Sequence, residues 1–111
     1  MCDRFSLGAT IRVGQVSELP NWPETPPRYN IAPSQDVPTV IQNRETGTRE
    51  YRPFRWGLVP SWAKDPAVGN RTINARSETA ATKPAFRKPL RERRCLIVAD
   101  GFYEWKREGS R

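Results

Sequence analysis

Cys-Leu-Ile-Val-Ala-Asp-Gly-Phe-Tyr-Glu-Trp-Lys, residues 95–106, carries the strongest structural signal in the chain. Residues 95–99 are apolar and β-rich, which is typical of a strand buried inside a sheet. Asp100-Gly101 separates them from a second β-rich run, and an Asp-Gly pair in that position favours a hairpin turn. We therefore predict an antiparallel hairpin, with Cys95 as a buried structural thiol.

The second run of this hairpin alternates aromatic and charged residues. A strand has a period of two, so Phe102, Glu104 and Lys106 are predicted on one face and Tyr103 and Trp105 on the other. Trp105 is expected in the core. Partial shielding from water favours the protonated form of a carboxyl group, so Glu104 beside Phe102 is suited to proton transfer. The alternative is an exposed glutamate on an edge strand.

Upstream of this segment the chain alternates β-rich, proline-rich and helical patterns. Residues 37–42 and 48–56 predict a second hairpin with a turn at 43–47. Residues 83–94 allow a short helix interrupted by a proline, and a short helix is also expected over 10–19. The four prolines of 20–27 exclude regular helix and indicate an extended connector. Three aromatic residues are assigned to the core: Phe5, Phe54 and Trp56.

Length and composition limit the class of protein. At 111 residues the chain is one domain or part of one. It contains no apolar run of about 20 residues and no secretory signal pattern, so we expect a soluble, cytoplasmic protein without a membrane partner. With no His and two Cys, it has neither a complete zinc-ligand set nor a disulfide framework. We therefore expect no metal and no cofactor.

The basic residues are concentrated in the second half of the chain. Residues 1–50 have a net charge of −1, whereas residues 51–111 carry 14 basic and 6 acidic side chains, a net charge of +8. Such asymmetry is typical of proteins that bind nucleic acid, because each Lys or Arg that meets a phosphate releases counterions. A solvated basic face without a partner is the alternative.

Cys2 directly follows the initiator Met1. Removal of Met1 would make Cys2 an N-terminal 1,2-aminothiol, in which amine and thiol are both partly deprotonated near neutral pH. An aldehyde reacts with this pair to give a Schiff base and then a five-membered thiazolidine ring. A cysteine that stands second by chance is the alternative.

Five ordered motifs carry a family resemblance. They are Met1-Cys2-x-Arg4-Phe5, Arg28 to Pro33, Trp56 to Trp62, Asn74 to Thr79, and Arg94 to Trp105. This pattern resembles the SOS-response-associated peptidase (SRAP) family. The resemblance implies an α+β fold with a barrel-like antiparallel β core and short flanking helices. It also implies a sensor that captures abasic sites in single-stranded DNA as a covalent DNA–protein crosslink, with autoproteolytic removal of Met1.

The resemblance also assigns site residues. Cys2 is the expected nucleophile, Asn74 is expected to hydrogen-bond near the reacting sugar or the Cys2 amine, and Glu104 is the expected proton-transfer group. Asn74 as an ordinary turn residue is the alternative. Four residues are expected to bind DNA: Arg4 and Arg76 through phosphates, Trp62 by base stacking and Pro33 as a wedge against the bases.

Two departures from the family pattern qualify these expectations. Asp3 stands where the family usually has Gly, and the His that the family uses as an acid–base partner has no counterpart here. We therefore interpret residues 1–111 as the N-terminal portion of a single, truncated SRAP domain. A second half or a second chain is expected to complete the domain, and the complete protein is expected to be a monomer. Two other functions remain open: a non-covalent single-stranded DNA-binding module and an N-terminal-nucleophile amidohydrolase.

Overall fold

The computed structural model describes residues 2–8, 19, 22–23 and 25–106. The helix predicted over 10–19, apart from Leu19, lies outside the described residues, as do residues 107–111. The described residues of 20–27 form neither helix nor strand, as the prolines predict. No described helix is long and apolar enough to cross a membrane.

The first sheet is formed by three short antiparallel strands in the order β2-β1-β6. Strand β1 spans Phe5–Leu7, β2 spans Arg28–Ile31 and β6 spans Gly101–Phe102. Phe5 lies opposite Ile31 on one side and opposite Phe102 on the other. The N-terminal strand is therefore the centre of this sheet, so the residues just before β1 lie beside the segment that follows β6.

The second sheet is built on a hairpin and has the order β4-β3-β5. Strands β3 (Asp36–Gln42) and β4 (Arg49–Arg55) pair in continuous register. Between them, the Asn43 side chain accepts hydrogen bonds from two backbone N–H groups of the loop, and Gly47 has a φ of 72°. The hairpin predicted over 37–56, with its turn at 43–47, is confirmed.

The hairpin predicted over residues 95–106 is wrong. Strand β5 (Leu96–Ile97) pairs with β3 in the second sheet, whereas β6 pairs with β1 in the first. Asp100, expected in the turn, instead accepts hydrogen bonds of 2.6 Å from Ser6 Oγ and from the Gly8 backbone N–H. Pairing with distant strands has replaced the local turn, so this segment passes from one sheet to the other.

The buried core lies around the first sheet and the start of β3. Phe5, Leu7, Ile31 and Val37 are at most 5% exposed, and Trp56 packs against them. The ring centroids of Phe5 and Trp56 are 5.4 Å apart. The core position predicted for Phe5 is confirmed, and Trp56 is partly buried against the core.

Other core assignments are wrong. Phe54 is 42% exposed and Trp105 is 77% exposed. Leu96 is 72% exposed, and Cys95 is also exposed rather than buried. All four lie in β4 or in the segment from 95 onward, where the described residues supply no layer to cover them.

The helices are few and short. A 3₁₀ helix spans Pro66–Arg71, and α1 spans Arg87–Glu92 within the segment predicted as helical. Pro89 occupies the third position of α1, where its missing N–H has no intrahelical partner to lose, so the proline does not interrupt the helix. The described structure is mostly antiparallel sheet with short helices, compatible with the α+β class. Its two sheets do not close into a barrel within the described residues.

Candidate functional site

Cys2 lies just before β1 and is partly buried against the core. It packs on the cluster that contains Phe5 and Ile31, and its Sγ lies 3.6 Å from the Arg4 carbonyl oxygen. Cys2 and Cys95 are both free thiols. The packing restricts the position of the sulfur while leaving part of the residue accessible to a reactant.

Asn74 is brought to Cys2 from 72 residues away in the chain. Its Nδ2 donates a hydrogen bond of 2.8 Å to the Cys2 carbonyl oxygen. The expected partner was the reacting sugar or the Cys2 amine, whereas the observed acceptor is on the other side of the Cys2 α-carbon. Asn74 therefore anchors the backbone of Cys2 through its carbonyl group rather than through its amine or its thiol.

Trp56 holds the loop that presents Asn74. Its ring packs on Phe5 and its Nε1 donates a hydrogen bond of 2.8 Å to the carbonyl oxygen of Ile73, the residue before Asn74. Sequence reasoning placed Trp56 in the core and missed this second contact. An indole buried in a core usually finds a hydrogen-bond acceptor, and that rule was the available signal.

A close backbone crossing supports the same loop. Gly57, with a φ of 118°, passes so near Gly69 that a Cβ at Gly57 would lie 2.5 Å from the Gly69 carbonyl oxygen. Next to the crossing, Thr72 Oγ1 donates a hydrogen bond of 2.5 Å to the Leu58 carbonyl oxygen. The segments before and after the 3₁₀ helix are thus locked together, which fixes where residues 73–74 emerge.

Pro33 lies in a tight turn beside the same tryptophan. The turn has Ser34 at a φ of 72°, and the Ser34 N–H donates a hydrogen bond of 2.9 Å to the Trp56 carbonyl oxygen. The Trp56 N–H in turn donates to the Gln35 carbonyl oxygen at 2.9 Å. Pro33 is therefore connected to the Cys2 region through Trp56.

Glu104 follows the end of β6 and approaches the residues before β1. The Tyr103 N–H donates a hydrogen bond of 3.0 Å to the Arg4 carbonyl oxygen, which continues the β1–β6 register by one residue. Glu104 is the next residue after this contact, so its backbone lies close to the segment that contains Arg4. The expected shielding is wrong, because Glu104 is exposed and Phe102 is 68% exposed. The strand also ends at Phe102, so the predicted period-two faces do not extend to Glu104.

The proposed DNA-contacting side chains differ in exposure. Arg4 is partly buried, and one of its guanidinium nitrogens donates to the Asp3 carbonyl oxygen at 2.6 Å. Arg76 is exposed, and its carbonyl oxygen accepts from two N–H groups of the following turn. Trp62 is 65% exposed, so its indole face is open to a planar partner.

Asp3 is unusual among the residues near Cys2. Its Oδ1 is buried and has no hydrogen-bond partner among the described residues. Because Arg4 donates to the Asp3 carbonyl oxygen rather than to this carboxylate oxygen, the two neighbours do not form an ion pair through it. The residue that departs from the family pattern therefore places an unpartnered acceptor beside the candidate nucleophile.

Comparison with known proteins agrees with the motif pattern. A 45% identical relative is the abasic site processing protein YoqW of Bacillus subtilis (strain 168), with the match covering 96% of this chain and 49% of the relative. The abasic site processing protein YoaM of the same organism is 44% identical, covering 100% of this chain and 50% of the relative. The abasic site processing protein HMCES of Rattus norvegicus is 40% identical over 103 residues, covering 81% and 29%. The chain thus spans about half the length of the Bacillus relatives. Residues 1–111 match the profile described as SOS response associated peptidase (SRAP), and the chain belongs to that family.

Proposed function

We propose that this chain captures abasic sites in single-stranded DNA by forming a covalent bond to Cys2. The observation that carries the proposal is the hydrogen bond between the Asn74 side chain and the Cys2 carbonyl oxygen, because it unites two distant motifs at the candidate nucleophile. The names of the relatives, abasic site processing proteins, supply the substrate class. An abasic site in its ring-opened form is an aldehyde, which is the natural partner of a 1,2-aminothiol.

The reaction is a condensation that releases one water. Hydrolysis of the Met1–Cys2 peptide bond, which we attribute to autoprocessing, first frees the Cys2 amine. The amine nitrogen adds to the aldehyde carbon, and the resulting hydroxyl leaves as water to give an imine. The sulfur of Cys2 then bonds to the imine carbon while the thiol proton passes to nitrogen. The product is a thiazolidine, which lacks the imine that promotes strand cleavage.

Glu104 is the group we assign to proton transfer. The backbone contact between Tyr103 and Arg4 brings residue 104 towards the N-terminal segment that carries Cys2. Water loss needs a proton delivered to the departing hydroxyl, and ring closure needs a proton moved from sulfur to nitrogen. General acid–base assistance of this kind is typically worth about 10²–10⁴ in rate.

DNA binding is assigned to the residues around this centre. We assign Arg4 and Arg76 to phosphate contacts, because each lies two residues from a proposed catalytic residue in sequence and a guanidinium fork matches phosphate oxygens. The exposed indole of Trp62 suits stacking on an unpaired base. Pro33, on its rigid turn, is assigned as the wedge beside the lesion. Stacking and wedging both need bases that are accessible and unstacked, so we propose single-stranded rather than duplex DNA as the ligand.

We further propose that residues 1–111 form the N-terminal portion of a single SRAP domain. The Bacillus relatives are about twice as long, and the edges formed by β5 and β6 expose Leu96, Ile97 and Phe102 by 54–72%. A second half that packs on these edges would cover the apolar side chains and extend both sheets towards a closed barrel. It would also supply the acid–base His, and the complete protein is proposed to be a monomer.

The test is a denaturing gel with single-stranded DNA that contains one abasic site. The chain is fused to the second half of YoqW and incubated with this DNA, and the adduct should survive boiling. Cys2→Ser should abolish the thiazolidine, and mass spectrometry should show one water lost for each adduct in the unsubstituted protein. Cys95→Ser is the matched control, because it removes the other thiol, and it should leave the yield unchanged.

Other outcomes separate the competing functions. Binding without a boiling-resistant adduct would indicate a non-covalent single-stranded DNA-binding module and contradict the proposal. Glutamine hydrolysis without an adduct would indicate an amidohydrolase. The isolated 111-residue chain should form the adduct more slowly than the fusion, and equal rates would contradict the need for a second half.

A further inference from the structure

The two ends of the β3–β4 hairpin have different surroundings. One end, where Asp36 pairs with Arg55, adjoins the Pro33 turn and Trp56 and therefore the Cys2 region. The other end, where Gln42 pairs with Arg49, adjoins an open cleft of about 370 Å³. Seven strand residues separate the ends by about 20 Å. The cleft is thus outside the candidate site but on the same hairpin.

Three of the seven residues that line the cleft are arginines, from the hairpin loop, from α1 and from the chain just after α1. Its charged residues are Arg44 of the hairpin loop, Arg91 and Glu92 of α1, and Arg94 just after α1, which gives a net charge of +2. Two uncharged side chains, Gln42 and Asn43, complete the polar wall together with Gly47. A concave surface with excess guanidinium groups favours an anion with several oxygen atoms.

Hydrogen bonds hold the cleft in shape. The Arg44 guanidinium donates to the Glu92 carbonyl oxygen, which joins the hairpin loop to the end of α1. Arg94 donates through Nε to the Leu90 carbonyl oxygen at 2.5 Å. Both arginines therefore cap carbonyl groups at the C-terminus of α1, where positive charge is stabilising. A side-chain to backbone hydrogen bond across 48 residues of sequence therefore links the two sides of the cleft.

The guanidinium groups keep donors for a ligand. Arg94 uses only Nε in its contact with Leu90. The Arg91 side chain is 74% exposed, and its contact with Glu92 is a 3.3 Å surface ion pair, a kind that contributes little and is easily exchanged. A phosphate entering the cleft can therefore accept hydrogen bonds from Arg91 and Arg94 without breaking the contact that Arg44 makes.

We propose that this cleft binds the phosphodiester backbone of single-stranded DNA at a distance from the reacting nucleotide. The inference rests on the proposed function, because it supposes that the same strand reaches Cys2. The length of the hairpin alone, about 20 Å, corresponds to about six nucleotides at 3.4 Å per nucleotide. The cleft adds affinity for strands long enough to occupy both positions and adds nothing for shorter ones.

The experiment compares long and short strands at equilibrium. The 111-residue chain is titrated into fluorescent single strands of about 5 and about 20 nucleotides, each with a tetrahydrofuran abasic analogue that has no aldehyde. Arg91→Gln with Arg94→Gln should weaken binding of the long strand about tenfold and change binding of the short one less than about twofold. The slope of log affinity against log salt for the long strand should fall by about 1.4, since each lost phosphate contact removes about 0.7.

Matched variants exclude a general charge effect. Arg87→Gln with Lys88→Gln removes the same charge from the start of α1, outside the cleft, and it should affect both strands equally and weakly. Arg91→Lys with Arg94→Lys keeps the charge and should keep most of the long-strand slope. If the double Gln variant unfolds, Arg91→Gln alone carries the test, with an expected slope change of about 0.7.

Three outcomes of the strand comparison would overturn the inference. In the first, the double Gln variant at 91 and 94 loses as much affinity for the short strand as for the long one. In the second, the control variant at 87 and 88 loses as much affinity for the long strand as that variant does. In the third, the unsubstituted chain binds the long strand no more tightly than the short one. Tight binding of inorganic phosphate without a length effect would identify a small-anion site and also overturn it. Failure of the proposed function is a separate result, because loss of the Cys2 adduct leaves the length dependence measurable.

Discussion

Two apolar parts of the molecule differ sharply in burial. Phe5, Leu7 and Ile31, in β1 and β2, are 0–5% exposed, whereas Leu96 and Phe102, in β5 and β6, are 72% and 68% exposed. Both parts form antiparallel strands, and β1 and β6 even pair with each other. The difference comes from what covers each strand, since the first group has the start of β3 and Trp56 packed on it. Strand formation and burial are therefore separate properties, and an apolar strand is not necessarily a buried one.

The largest expected effect comes from truncating one side chain in each part. Ile31→Ala should lower the free energy of unfolding by about 2–5 kcal/mol, because it leaves a cavity at a fully buried position. Leu96→Ala should change it by less than about 0.5 kcal/mol, because that side chain is already mostly in water. Urea unfolding followed by tryptophan fluorescence measures both. If Ile31→Ala does not fold, Ile31→Val should still cost about 0.5–1.5 kcal/mol. Equal effects at positions 31 and 96 would refute the comparison.

A second prediction compares two glycines with positive φ, one in a packed region and one exposed. Gly47→Ala, in the hairpin loop, should cost about 1–2 kcal/mol from backbone strain alone, because nothing lies within 4 Å of its new Cβ. Gly57→Ala should cost about 1–3 kcal/mol more, because its Cβ would meet the Gly69 carbonyl oxygen at 2.5 Å. Thermal unfolding of the two variants tests the difference. A milder effect at Gly57 would show that the backbone crossing separates easily.

The smallest expected effect concerns Cys95, whose thiol is partly desolvated although the residue lies in the exposed segment. The residue is exposed, yet desolvation by neighbouring atoms raises the pKa of its thiol. A raised pKa means a smaller thiolate fraction at pH 8, and only the thiolate is alkylated rapidly. In Cys2→Ser, Cys95 should therefore react with iodoacetamide more slowly when folded than in urea at pH 8. The two rates should converge as the pH rises above the raised pKa. Equal rates at pH 8 would contradict the desolvation.

The sequence predicted those elements whose pairing is local. The β3–β4 hairpin was found because its two strands and its turn, with Asn43 and Gly47, are contiguous and each part has a clear chemical signature. The predicted 95–106 hairpin failed although its Asp-Gly signal was strong. Both of its strands are only two residues long, and they gain more from pairing with β3 and β1 than from pairing with each other. Local preference does not reveal such competition.

The site was predicted in part for a similar reason. Motif order singled out Cys2 and Asn74, and the structure brings them within hydrogen-bonding distance. The support for Asn74 depends on Trp56 reaching Ile73 and on two glycines crossing, and these contacts have no periodic signal in the sequence. The expected shielding of Glu104 failed because Phe102, its supposed cover, is itself exposed. Catalytic and DNA-binding roles for these residues stay predictions.

The hydrogen bond from Asn74 holds a part of Cys2 that removal of Met1 would not alter. Its acceptor, the Cys2 carbonyl oxygen, belongs to the peptide bond that joins Cys2 to Asp3. The proposed cleavage after Met1 would break the preceding peptide bond, so the anchor would be the same before and after processing. The newly freed amine would then belong to a residue whose backbone is already fixed. Folding would already have ordered this residue, so the reaction would carry little further cost in conformational entropy. A precursor and a mature protein would thus share one geometry and differ in one ionisable group.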